Sequence, residues 1–162
     1  MAIVIEDGTG KADAEAYISV ADADTYFAAR GNAAWAALTT EQKEQALRHA
    51  VDYMTAVYGQ RWKGERSSTT QALDWPRDGV LGVASDVVPV PVQRANAELA
   101  VRASAGDLLA DQGAQVKQEV VGPISVTYAD GARQWIRYAM VDGLLAGLLR
   151  DGGGAQIPVV RA

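Results

Sequence analysis

One stretch of this sequence constrains the fold more than any other. Thr39 and Gln42 stand where a capping box places its N-cap hydroxyl and its reciprocating side chain, and Gly59 stands where a helix is stopped. Between them Leu47, Val51, Met54 and Tyr58 recur at helical spacing, with Ala46, Ala50 and Val57 beside them. This pattern predicts an amphipathic helix running to about Tyr58. A helix with one apolar stripe must bury it against another element, and the sequence offers several. Ser19, with Asp22 three residues on as an approximate capping box, opens a helix over 20–30 that Gly31 ends, and Asn32 starts a short turn carrying Trp35 and Leu38. Pro89 and Pro91 introduce VQRANAELAVRASAGDLL, read as a helix ending near 111–113. ADGAR turns into a last helix over about 133–149, with Trp135, Ile136, Met140, Leu144, Leu145 and Leu148 on an apolar surface wider than a small core needs. QVKQEVV and ISVTY flank Gly122-Pro123 and read as a β-hairpin at 115–128.

The order predicts a mostly α fold: a small helical bundle of about four helices with a β-hairpin insertion and extended N- and C-terminal arms. The expected divisions are an extended arm over 1–18, a single helical domain over 19–149 with a long loop at 60–90, and a flexible tail over 150–162. An apolar share of 49% suits one globular domain of this length. Without cysteine there is neither a disulfide nor a thiolate. MAIVIEDGTG lacks the features of a signal peptide, and no apolar run reaches the roughly 18–20 residues of a membrane span. The expectation is a soluble protein, intracellular where it is made and without a membrane partner.

Little in the sequence points to chemistry. The only histidine, His49, falls off the apolar stripe of its helix and has no activated nucleophile to serve, so it reads as a surface residue. One histidine and no cysteine exclude a structural zinc site. GTGK at 8–11 resembles the end of a phosphate-binding loop, but Ile5 and Ala12 stand where that motif needs a glycine and a hydroxyl. Asp22 and Asp24 diverge on a helix, and the surrounding residues lack the glycine and distal glutamate of a calcium loop. No catalytic, metal or cofactor-binding residue is assigned, and the chain is not read as an enzyme.

The segment 58–77 is different. It gathers Arg61, Lys63, Arg66 and Arg77 against Glu65 and Asp74, together with Tyr58, Trp62 and Trp75. Cations interleaved with rings suit a single strand of nucleic acid, since bases stack on rings while cations follow phosphates. Trp and Arg also mark protein interfaces, and tryptophans can simply pin a loop to its own core. All three readings fit the residues.

The stretches VIEDGTGKADAEAYISVADADTYFAARGNAAWAAL, ALRHAVDYM, RWKGERSSTTQALDWPRDGV, VPVPVQRANAELAVRA and VGPISVTY resemble, in this order, the small head–tail connector (adaptor) proteins of tailed bacteriophages. The same group also carries the label of a DnaT-like single-stranded-DNA-binding protein. The connector resemblance implies a structural virion protein at the head–tail junction that forms a dodecameric ring beneath the portal and links capsid to tail. Its implied partners are the portal protein, neighbouring copies of itself, the next neck or tail-completion protein, and duplex DNA sliding through without specific binding. A net charge of −5 suits such a channel. The interface candidates are Trp62, Arg66, Trp75, Pro76 and Arg77 in the loop, and Ile157, Val159 and Arg161 in the tail. The alternative is a DnaT-like accessory factor that binds single-stranded DNA.

Overall fold

The computed structural model describes residues 2–110, 118–121, 124–127 and 136–150, with the two strands at 118–127 described by backbone alone. It is mostly helical: α1 (Val20–Ala28), α2 (Ala33–Ala36), α3 (Thr40–Tyr58), α4 (Val90–Ala103) and α5 (Ala139–Leu145), the last continued by a 3-10 turn over Ala146–Leu148. Two antiparallel strand pairs complete it, β1 (Glu65–Arg66) with β2 (Arg77–Asp78), and β3 (Gln118–Val121) with β4 (Ile124–Thr127), where Val121 faces Ile124.

The helix starts follow local chemistry. Thr39 and Gln42 form the complete capping box, Thr39 N donating to the Gln42 amide oxygen at 2.9 Å. Ser19 and Asn32 cap α1 and α2 with their side-chain oxygens. Two helices differ from expectation. α4 ends at Ala103, short of 111–113, where Ser104, Ala105 and Gly106 no longer present an apolar stripe. The last begins at Ala139, not near 133, because Ile136–Tyr138 is non-helical and Tyr138 lies edge-on to the Tyr53 ring at 5.3 Å. Residues 133–135, Trp135 among them, lie outside the described residues.

The core lies where α3 and α4 pack together, with α5 against α4. Leu47, Ala50, Met54 and Tyr58 of α3 meet Val92, Ala95, Leu99 and Ala100 of α4 and Val141 and Leu145 of α5. Alanines on the facing surfaces let the helix axes approach closely.

The N-terminal segment, read as an extended arm, is extended in backbone but packed onto this core. Glu6 N donates to Ala16 O at 2.9 Å, and Ala14, Ala16, Tyr17 and Ile18 are buried. Asn96 of α4, fully buried, accepts Tyr17 N at 2.9 Å and donates to Leu47 O of α3 at 3.0 Å. Glu15 closes the outer side by accepting Arg48 Nε at 2.8 Å and Val4 N at 3.1 Å.

Those bonds, Arg48 first and Val4 next, hold the Glu15 carboxyl below its ordinary value of 4.5. A folded value below the unfolded one adds stability that is complete above about pH 4.5 and is lost as pH falls through the lowered folded value. Glu15→Gln should therefore be less stable than wild type near neutrality, with the gap closing in acid. Urea unfolding at a series of pH values checks this, and a gap independent of pH would exclude it.

Candidate nucleic-acid interface

The long loop between α3 and α4 is built around its tryptophans. Trp75 is 0% exposed and Trp62 1%, and their rings meet edge-on at 5.7 Å, with Tyr58 6.0 Å beyond Trp62. The Trp75–Pro76 peptide is cis. The Tyr17 hydroxyl accepts Asp74 N at 3.0 Å and Trp75 N at 3.4 Å, and Trp62 Nε1 donates to Asp74 Oδ2 at 3.2 Å. Burial raises the Tyr17 phenol above its ordinary value, with the Asp74 carboxylate adding to the effect, so it is a neutral hydroxyl throughout the working range.

Arg77 is the second organiser. It is 6% exposed, and its guanidinium donates to the carbonyls of Lys63 at 2.8 Å, Gly64 at 2.8 Å and Asp74 at 3.1 Å. Burial lowers its pKa, with Asp74 opposing and Arg150 and Arg66 adding repulsion, yet an arginine stays charged. Gly64 fits this crossing because a Cβ there would lie 2.0 Å from Asp78 O, and its φ of 66° suits glycine. The end of the chain's described part joins the same frame. Lys63 N donates to Leu148 O and Arg150 N to Arg61 O, while Arg150 Nε reaches Trp62 O at 2.9 Å and Lys63 Nζ reaches Gly147 O at 2.7 Å. Arg66 bonds the carbonyls of Gln71 and Leu73.

Two ways of holding a cation recur among the described residues. Lys11, Lys43, Arg48, Arg102 and Arg137 each face a carboxylate. Lys63, Arg66, Arg77 and Arg150 bond neutral carbonyl oxygens, which hold a guanidinium or ammonium in place without cancelling its charge. All four border the 61–66 segment, and Arg66 and Arg150 are exposed. Over Glu65, Asp74 and Asp78 these four keep a local surplus of one positive charge, in a chain whose net charge is −5. An edge of this kind attracts phosphates through its field.

The family described as "Putative DnaT-like ssDNA binding protein" matches residues 1–162, the full length. The chain belongs to that family. No curated protein and no solved structure matches it. The family match overturns the head–tail connector reading, and with it the portal, the dodecameric ring, the neck protein and the transiting duplex as partners. The connector reading rested on the resemblance of the quoted stretches, and the net charge only agreed with it. A net −5 does not describe every surface, since Lys11, Lys43, Arg48, Arg102 and Arg137 face carboxylates while Lys63, Arg66 and Arg150 are held by carbonyls along one edge.

Of the residues singled out in the loop, Arg66 is exposed, while Trp62, Trp75, Pro76 and Arg77 are interior. Ile157, Val159 and Arg161 lie outside the described residues. Arg150 joins the edge without having been anticipated, because only the chain's return beside Trp62 brings it there. The GTGK turn is an amide nest after all, but Glu6 fills it: its carboxylate accepts the N–H groups of Gly8 and Gly10 at 2.9 Å and Lys11 at 2.8 Å. Exposed His49 lines a cavity of about 580 Å³ with Asp52, Tyr53, Ser104 and Asp107. Among the described residues no three His, Asp or Glu side chains gather as a metal would require, and no helix is long and apolar enough to cross a membrane.

Trp75→Ala should lower the unfolding free energy by about 3–5 kcal/mol through the cavity it leaves. Arg66→Lys, at the exposed rim, should stay within about 1 kcal/mol of wild type. Equilibrium urea unfolding of both variants makes the comparison.

Proposed function

We propose that the chain is a single-stranded DNA-binding accessory protein whose contact with the strand is mainly electrostatic, along the edge formed by Lys63, Arg66 and Arg150. Its membership of the DnaT-like ssDNA-binding family carries the reading. The carbonyl-held cations support it, because phosphates approaching them meet fixed charges that no carboxylate has neutralised. Arg77 adds field from beneath rather than contact, being buried. Tyr58, Trp62 and Trp75 offer no open ring face beside this edge, so they hold the cations in place instead of stacking on bases. Backbone contact without ring stacking gives modest affinity, little sequence preference and strong dependence on salt.

Three or four neutralised phosphates correspond to a slope of log K against log salt of roughly −2 to −3 on a single strand. Fluorescence anisotropy with a labelled oligothymidylate, beginning at low salt, measures it. Arg66→Gln should weaken binding and make the slope shallower by about 0.7, whereas Arg66→Lys should keep it. Absence of binding by the wild-type protein at low salt, or equal slopes for wild type and Arg66→Gln, would overturn the proposal.

A further inference from the structure

Leu81 is the most exposed large apolar side chain among the described residues, at 101% of its reference area. A single exposed leucine is ordinary on a protein surface. Its mounting sets this one apart. Val83 N donates to Val80 O at 3.1 Å across a four-residue turn, and Gly82 at the third position has φ 79°, which is the geometry of a type II turn. Leu81 is the corner residue of that turn, where a side chain points away from the body. Val80 roots the turn: it is buried, and its Cγ2 would lie 2.8 Å from a Cβ placed on Gly64. The Gly64 carbonyl is the one that Arg77 and Arg150 both reach. The chain thus presents an apolar side chain on a corner whose neighbour, Val80, packs at the Gly64 crossing that Arg77 and Arg150 reach.

We infer that Leu81 is the base-contacting residue of the strand-binding edge, lying against or between bases whose phosphates follow Arg66 and Arg150. The inference rests on the single-stranded DNA reading above and assigns it a feature that the cations do not supply. Charge complementarity selects the occupant. A polyanion with apolar faces satisfies an apolar corner beside fixed cations, whereas an apolar protein surface would have to desolvate those cations to reach it. Leucine serves as an apolar wedge between base steps in other DNA-binding proteins, and a single strand exposes its base faces without the cost of opening a duplex. The two contacts are separable: burying leucine against a base releases no counterions, so it adds affinity without changing the salt slope.

The experiment compares wild type, Leu81→Ala and Leu81→Trp by anisotropy on a labelled oligothymidylate and on an abasic oligonucleotide of the same length, which keeps the phosphates and lacks the bases. Leu81→Ala should bind oligothymidylate roughly three- to tenfold more weakly with an unchanged salt slope, and should match wild type on the abasic strand. Its thermal midpoint should equal that of wild type, since Leu81 buries no surface within the chain. Leu81→Trp should bind at least as well as wild type and show quenched indole emission on oligothymidylate alone. Wild-type binding with no loss in Leu81→Ala, or an equal loss on the abasic strand, overturns the inference and leaves the electrostatic reading standing. Failure of the wild type to bind either strand overturns both. Leu81→Ala that abolishes self-association while leaving strand binding intact assigns the corner to a protein contact and also overturns it.

Discussion

Asn96 is the side chain on which the arrangement of the other parts depends. It sits in the middle of α4, where an amide is fully desolvated, and uses its two ends on two other elements: the oxygen on Tyr17 N and the nitrogen on Leu47 O. A buried amide left without partners costs more than its bonds return when made, so this contact admits one register of the N-terminal segment against α3 and α4. Tyr17 then transmits that register. Its ring is buried and its hydroxyl meets the backbone of Asp74 and Trp75, so the loop between α3 and α4 is hung from the N-terminal segment, which is itself hung from Asn96. The cationic edge is the outer surface of that loop.

The second constraint is the choice of partner for each cation. A carboxylate and a carbonyl both hold a guanidinium, but only the carboxylate removes its charge from the surroundings. Lys43, Arg48 and Arg102 on the helices meet carboxylates, whereas Arg77 and Arg150 around 61–66 meet carbonyls. Those carbonyls need donors in any case, because a strand pair two residues long leaves most of its backbone unpaired. The same bonds therefore stabilise an irregular loop and concentrate positive potential on it. Glu6 is the converse case, in which a nest of amides that would otherwise draw an anion is filled by the chain's own carboxylate.

Much of the helical frame was legible because its signals are local. The box at Thr39 and Gln42, the cap at Ser19, and the apolar spacing from Leu47 to Tyr58 each depend on residues within a few positions of one another, whereas Asn32, read as opening a short turn, caps a helix of its own. The β3–β4 pair was legible for the same reason, from β-branched residues on either side of a glycine-proline turn. The β1–β2 pair was not, since residues 66 and 77 meet only after the intervening loop has folded over Trp75. The start of the last helix was misplaced because apolar periodicity continues through Ile136, whereas Tyr138 is drawn from helical geometry by its packing on Tyr53.

The candidate site was half legible. From the residues alone it is plain that cations and tryptophans share one segment, that no thiol or histidine cluster competes with them for a role, and that a capped amphipathic helix leads into it. They leave open which side chains face water. Folding is what turns Trp62, Trp75 and Arg77 inward and Arg66 and Leu81 outward, and what brings Arg150 in from far along the chain. The reason is physical. Capping and periodicity act over one or two turns of backbone, whereas exposure depends on which distant groups cover a side chain, and that coverage exists only once Tyr17, the loop and residues 148–150 have been brought together.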